Sequence, residues 1–367
     1  MRERYECNAC AHIDMSALSH NFILAGRLSG GREIIPVIKA NAYGHGSVEV
    51  ASYLTENLGA KKLAVARVNE GIEIRAGQIN SSIIILGGFY EDEIQELIHY
   101  NLEPSVYDMP LLCLLDKKAA AAKKIIKVHL KINTGMNRLG VKPEKAPGFI
   151  NFIRNSNFLK LESVYTHFAD ADLANDKRTK KQSLILESLK KAAGPDVLFH
   201  AANSAAILKY PFAHFDAVRP GIMMYGSYCD KKTAKSLLPV MTLKTSVAQV
   251  IGLKSGDKVS YGGRYTARKK EYAAVISIGY GDGFPRSLSG KGEVMINGKK
   301  RKVLGTVCMD LTVVQADKNV KQGDAVLVFG RDGKNIMPIE KMAEDAGTIA
   351  YEILTGISDR VKRIYKY

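Results

Sequence analysis

No uncharged apolar run in the chain approaches the roughly 18 residues that a membrane-crossing helix requires, so the chain is not expected to span a bilayer. Cysteine is sparse and odd in number, with five residues scattered at Cys7, Cys10, Cys113, Cys229 and Cys308. That scatter argues against a disulfide framework and points to free thiols in a reducing, cytoplasmic compartment. Cys7 and Cys10 form a C-x-x-C, but no second Cys or His pair stands at zinc-ligand spacing, so no metal is expected. The opening Met1-Arg2-Glu3-Arg4-Tyr5-Glu6 is charged and enters no apolar segment, so no secretory signal is expected. Acidic residues are outnumbered, 37 against 53 Lys and Arg, for a net charge of +16. The excess lies in small groups (Lys61-Lys62, Lys123-Lys124, Lys299 to Lys302) separated by amphipathic sequence. Without a basic stripe, nucleic acid is not an expected partner; the charge serves solubility and attracts small anions.

What is present is enough chain, 367 residues, for a large domain and a smaller one. Short β-branched runs alternate with longer helical patterns through the first two thirds, the βαβ signature of a parallel sheet. After a helix beginning near Met15, strands are predicted at 34–38, 62–66, 83–86, 103–106, 126–132, 161–167, 197–199 and 215–218. Eight such units match a closed α/β barrel of the (β/α)8 TIM type, with Pro36 a mark against the first strand. Beyond Tyr225 the pattern turns to short strands with glycine turns such as Asn297-Gly298 and Asp332-Gly333, at 240–252, 258–266, 272–278, 292–297, 303–307, 311–316 and 324–329. A closing helix begins at Ile339. The reading is a barrel over 1–236 and a mostly-β C-terminal domain over 237–367.

Barrel enzymes carry their reacting groups at the C-terminal ends of the strands, and here those ends are polar. Strand one ends at Lys39, strand six in Thr166-His167-Phe168, strand seven leads into Asn203-Ser204, and strand eight into Arg219-Pro220-Gly221-Ile222. A lysine ending an apolar strand is expected to be partly desolvated, which lowers its pKa and suits a Schiff base. For a lone lysine, a snorkelling surface residue is the better reading. Ser204, Gly221 and Ile222, however, lie where barrels commonly bind phosphate through backbone N–H groups and hydroxyls. A lysine and a phosphate cup across one barrel mouth suggest pyridoxal phosphate.

The segment Val37-Ile38-Lys39-Ala40-Asn41-Ala42-Tyr43-Gly44-His45-Gly46 resembles the cofactor-attachment motif of the alanine racemase family, pyridoxal-phosphate enzymes of fold type III. The resemblance continues at Lys131-Ile132-Asn133-Thr134-Gly135-Met136-Asn137-Arg138, His167-Phe168-Ala169-Asp170, Asn203-Ser204, Arg219-Pro220-Gly221-Ile222, Ser260-Tyr261-Gly262, Gly279-Tyr280-Gly281-Asp282, Cys308-Met309-Asp310 and Tyr351-Glu352. These matches span nearly the whole chain in the family's order, which makes short motifs strong together.

The resemblance implies a role for each position. Lys39 holds the cofactor and is the base on one face of the substrate α-carbon; Tyr261, from the partner subunit, serves the other face. Free tyrosine has a pKa near 10, so nearby cations must lower it, and His167 and Arg219 are the family's neighbours for that purpose. Arg219 faces the pyridine nitrogen, donating a hydrogen bond without surrendering a proton. Arg138 positions the substrate carboxylate and the cofactor's phenolic oxygen. Lys131 matches a position often carbamylated; Asn133 replaces an aspartate common there. Tyr43, Ser204, Gly221, Ile222 and Tyr351 are implied phosphate contacts, and the partner's Met309, Asp310 and Tyr280 would shape a small substrate pocket. The implied assembly is a homodimer with composite sites.

The implied activity is racemisation of alanine, supplying D-alanine for peptidoglycan. A serine or broad-spectrum racemase, including the soluble half of a longer membrane-anchored protein, is the near alternative, since a small apolar pocket rejects an added hydroxyl by only about a hundredfold. A decarboxylase of the same architecture would not need Tyr261 as a second base. A non-catalytic pyridoxal-phosphate carrier would not need the C-terminal domain.

Overall fold

A computed structural model describes residues 8–173, 175–227 and 236–367. The chain divides into two compact units, one formed by Ser19–Ala42 and Gly46–Leu237, the other by Met1–Leu18, Tyr43–His45 and Leu238–Tyr367.

The first unit is the barrel. Its eight strands run in the order Glu33–Ile34, Ala217–Val218, Leu198–His200, Leu159–Tyr165, Ile126–Lys131, Glu103–Val106, Ser82–Ile85 and Lys62–Val65, parallel throughout. The ring is closed by a single parallel bridge between Val37 and Ala64. The first strand is shorter than expected because Pro36 has no N–H to place in the ladder, although its carbonyl still accepts from Ala64 N at 2.8 Å. Elsewhere the buried runs form strands as their composition dictates: Leu63, Ile83, Ile84, Val128, Leu130 and Val164 have no exposed surface. The outer helices follow the same logic. Ala146–Asn155 buries Ala146, Phe149, Ile150 and Ile153, an i, i+3, i+4, i+7 stripe. Met109–Ala122 is capped by Asp108, whose side chain accepts from Leu111 N at 2.9 Å.

The second unit is a nine-stranded sheet with short helices. Its axis is Met241–Leu253, which alternates buried and half-buried residues and pairs with three other strands. Glu293–Ile296 and Lys299–Lys302, the second not among the predicted strands, form a hairpin across the expected turn Asn297-Gly298, both residues at positive φ (52° and 71°) as a two-residue primed turn requires. Two readings are corrected here. The run 303–307 is not a strand but a single Val303–Val314 bridge, and 258–266 is two short strands parted by the turn Tyr261–Gly263. Residues Ala9–Asp14, for which no strand was predicted and which fell within the 1–236 given to the barrel, form a strand of this sheet between Met241–Leu253 and Lys362–Lys366.

Cys10 is disulfide-bonded, against the expectation of free thiols throughout, whereas Cys113 and Cys308 are free. Cys7 and Cys229 lie outside the described residues. Among the described residues no helix is long and apolar enough to cross a membrane, and no group of three or more His, Cys, Asp or Glu is placed to hold a metal.

Candidate active site

At the end of strand one the backbone enters an unusual conformation. Lys39 opens the short helix Lys39–Gly44, in which Ala40, Asn41, Ala42 and Tyr43 have φ of 52°, 54°, 50° and 54°. This is a left-handed turn made of non-glycine residues, each of which costs roughly 1–2 kcal/mol against the right-handed form. Strain on this scale persists only where the surroundings over-determine it, and it gathers at functional sites. Asn41 anchors the exit from the turn: its carbonyl accepts from Gly46 N at 3.0 Å and its side-chain Oδ1 from Ser47 N at 2.8 Å. Lys39 itself is half-buried. Burial pulls its pKa down, as expected, and the charge of Arg138 pulls it further, with Glu70 opposing.

Strands five to eight bring the other cations to the same end. Arg219 is buried, and its guanidinium donates to His200 Nδ1, to Thr166 O at 2.6 Å and to Ala201 O at 3.1 Å. It lies 5.0 Å from the ring centre of Tyr165, which stacks on His200 at 4.9 Å. Burial lowers the Arg219 pKa to about 10, so it remains a cation at neutral pH. Lys131 donates to Leu86 O at 2.8 Å, and burial followed by Arg219, Arg138 and Lys39 lowers its pKa to about 7. Burial followed by the same cations and Lys131 lowers His167 to about 3. His167 is therefore neutral, so the cation expected at that position is not there, and Arg219 alone of the two carries charge. Arg138 stands exposed near the rim.

The ends of strands seven and eight carry main-chain and hydroxyl groups as well. Ser204 opens the helix Ser204–Lys209, and the side chain of Asn203 accepts from Ala206 N at 3.1 Å. Ser204 Oγ accepts from Gly221 N at 3.0 Å and Met223 N at 3.3 Å, so the structure brings Ser204, Gly221 and Ile222 together in one buried corner. Four cations and a set of N–H and O–H donors share a mouth in which Glu70 is the carboxylate opposing them at Lys39. Such a cluster of basic groups suits an anionic ligand, and the pyridoxal phosphate that the resemblance implies is an anion whose aldehyde an amine such as that of Lys39 can hold. The residues present fit it.

In the second unit Tyr43 and Tyr351 form a tilted ring pair with centroids 6.0 Å apart. Gly44 has φ 82°, and a Cβ there would stand 2.2 Å from Leu354 O. Tyr261, Tyr280, Met309 and Asp310 occupy linked loops: Thr306 Oγ1 donates to Tyr261 O at 2.8 Å, Tyr280 N to Cys308 O at 3.0 Å, and Gly281 N to Met309 O at 2.8 Å. Asp310 pairs with Arg360 at 2.8 Å. Tyr261 is 73% exposed, Met309 52% and Tyr280 42%.

Asn133, standing where an aspartate is common, works as a neutral turn residue. Its Oδ1 accepts from Gly135 N at 3.1 Å and Asn137 N at 3.0 Å. Several residues escaped the sequence reading. Gln182 donates to Thr134 Oγ1 and His167 O, each at 3.0 Å, and accepts from Ala169 N, bracing the end of strand six. His200, Ser163, His129 and Glu103 form a buried polar line behind Arg219. Their only signal is a polar residue inside an apolar strand.

Comparison with known proteins agrees with this geometry. The family profile described as "Alanine racemase, N-terminal domain" matches residues 13–229, and that described as "Alanine racemase, C-terminal domain" matches 240–365. The chain is 42% identical to an alanine racemase of Carboxydothermus hydrogenoformans over 365 residues, covering 97% of this chain and 98% of that one. It is 39% identical to one from Methanococcus maripaludis, with 97% and 98% covered. Among solved structures it is similar to an alanine racemase of Clostridium difficile 630 (TM-score 0.91, 35% identity, 99% and 96% covered) and to one from Bacillus anthracis with bound L-Ala-P (TM-score 0.90, 32% identity, 100% and 96% covered). With both domain profiles matched, the decarboxylase and carrier alternatives give way, and the chain belongs to the alanine racemase family, whose members are pyridoxal-phosphate-dependent isomerases that interconvert L- and D-alanine.

Proposed function

We propose that the chain racemises alanine by two-base chemistry as a homodimer, Lys39 serving one face of the substrate α-carbon and the partner subunit's Tyr261 the other. The observation that carries this reading is the setting of Lys39 at the start of the left-handed turn, where burial and then the charge of Arg138 lower the proton affinity of the amine that must act as base. Pyridoxal phosphate, when bound, supplies the aldehyde for that amine and a ring that stabilises charge on the α-carbon. Arg219, fixed by three acceptors, keeps its protons and holds the ring nitrogen by donation alone. Arg138 binds the substrate carboxylate. Ser204, Gly221, Ile222, Tyr43 and Tyr351 hold phosphate, and His167 takes part as a neutral ring.

Lys131, with a pKa of about 7, has enough free amine at neutral pH to take up carbon dioxide, and the resulting carbamate would relieve the repulsion between it and Arg138. Tyr280, Met309 and Asp310 shape the partner's substrate pocket in this reading. Their exposure supports it, because large apolar side chains left open on one set of loops mark a surface that another chain covers. We also infer a cytoplasmic location and a role in supplying D-alanine for peptidoglycan.

The test is racemisation by the purified protein, L-alanine against L-serine, with Tyr261→Phe beside the parent. The variant is expected to keep its cofactor colour and lose most turnover in at least one direction. Full activity in both directions would refute the two-base assignment, and a preference for serine would move the substrate assignment to the near alternative.

A further inference from the structure

Helix Val68–Ala76 holds both ends of the segment that carries Lys39. At the near end, Glu70 spends its two carboxylate oxygens on three main-chain donors. Oε2 accepts from Ala66 N at 2.7 Å and Arg67 N at 2.9 Å, and Oε1 accepts from Ala40 N at 2.6 Å. The Oε2 contacts finish strand two and cap the helix; the Oε1 contact leaves the helix and takes the first peptide after Lys39. At the far end, Glu73 accepts from Ser47 Oγ at 2.8 Å, and Ser47 N donates to Asn41 Oδ1. The left-handed turn between is thus tied to one rigid element at its entry and its exit. The strands beneath are already joined, Ile38 N to Ala64 O at 2.9 Å and Ala64 N to Pro36 O at 2.8 Å, so Glu70 extends that ladder past the residue where regular pairing ends.

We propose that Glu70 is a positioning residue for Lys39, its carboxylate fixing the Ala40 peptide so that the lysine side chain leaves the strand end in a single direction. The proposal rests on the reading of Lys39 as the cofactor lysine. Charge-assisted bonds to main-chain N–H groups are short and strong, which suits them to holding a strained backbone. The same carboxylate is the anion that opposes burial and Arg138 at the Lys39 amine. Two separable effects follow. Removing the charge lets the amine lose its proton at lower pH, and removing the reach lets the turn relax so that the amine is misaimed.

The experiment follows cofactor capture by the full-length chain freed of cofactor, mixed with pyridoxal phosphate across a pH range. Lys39 condenses with the aldehyde and releases one water, read by absorbance and confirmed by borohydride reduction and intact mass. Glu70→Asp keeps the charge but falls short. Its limiting rate at high pH is expected to fall about tenfold or more, as misplacement of a reacting group by a fraction of an ångström does, with the pH midpoint unchanged. Glu70→Gln should move the midpoint to lower pH and lower the limiting rate as well. Glu93→Gln is the control for a purely structural role, since Glu93 caps another helix by accepting from Tyr90 N at 2.8 Å; it should cost thermal stability and move neither quantity. Parental limiting rates in either Glu70 variant overturn the proposal. Capture that survives in Lys39→Ala instead overturns the reading of Lys39, a separate result.

Discussion

Arg219 donates a guanidinium N–H to Nδ1 of His200, and that one bond sets the direction of every hydrogen bond behind it. A guanidinium has no acceptor, so His200 Nδ1 must be bare and its proton must sit on Nε2. Burial, then the charge of Arg219, hold His200 well below its ordinary pKa, so the ring is neutral. Nε2–H then donates to Ser163 Oγ at 2.9 Å, the serine hydroxyl to His129 Nδ1 at 2.7 Å, and His129 Nε2–H to Glu103 at 3.1 Å. A buried cation and a buried carboxylate are joined by three groups whose protons all point one way.

Ser163 is the link whose loss is cleanest. Ser163→Ala removes one oxygen with little change of volume and leaves His200 Nε2 and His129 Nδ1, both buried, with no partner in the line. An unmet buried polar group costs about 1–3 kcal/mol, so a loss in that range or somewhat above is expected in denaturant unfolding. A change below about 0.5 kcal/mol would mean that the line carries no stability.

Glu103 makes the same line sensitive to acid. Burial alone would raise its pKa, but the hydrogen bonds from His129 and the Ser82 hydroxyl and the charge of Lys127 outweigh it and bring the group to about 2, below the ordinary 4.5. A lowered carboxylate pKa means that the unfolded chain binds the proton more tightly. The stabilisation is complete above pH 4.5 and disappears as pH falls from there toward 2. Glu103→Gln is therefore expected to melt below the parent at pH 7, with the gap closing across that acid window, as thermal unfolding against pH will read.

Lys131 gives the opposite window. Its pKa of about 7 lies below the ordinary 10.5, so in the folded protein its charged form is penalised, fully so below pH 7. Lys131→Met removes that penalty. In carbonate-free buffer without cofactor the variant should melt above the parent at pH 6, and its advantage should fade as pH rises from 7 toward 10.5. Adding bicarbonate at pH 8 should raise the melting temperature of the parent and leave the variant unchanged, because only the lysine can form a carbamate.

The barrel was legible where burial alone chose the strand. The apolar run 83–86 forms the strand Ser82–Ile85, one residue from those bounds, and the other barrel strands fall within a few residues of theirs, because apolar residues in a parallel sheet are buried on both faces. Strands chosen by their partner rather than by their own burial were not legible. Lys299–Lys302 is a run of cations that becomes a strand only because Glu293–Ile296 lies beside it, and Ala9–Asp14 pairs with residues more than two hundred positions away. The site divides likewise. Lys39, His167, Ser204 and Arg219 were found because strand ends mark them, whereas Glu70, Gln182 and Glu103 act through backbone groups or second partners that topology alone brings near.

The proposed shared site makes a prediction of its own. In the two-base reading proposed above, Lys39→Ala removes one base and Tyr261→Phe the other, so each variant alone should be nearly inactive. If the two bases of a working site come from different chains, subunit exchange between the variants gives a hybrid in which one site has both lesions and the other has neither. The intact site takes Lys39 from the Tyr261→Phe chain and Tyr261 from the Lys39→Ala chain. Mixing under conditions that permit exchange should therefore restore racemisation of L-alanine, and where dissociation limits it the recovery should follow a first-order course whose rate is independent of protein concentration. If both bases instead belonged to one chain, every chain in the mixture would lack one of them, and activity would stay at the level of the separate variants however long exchange continued.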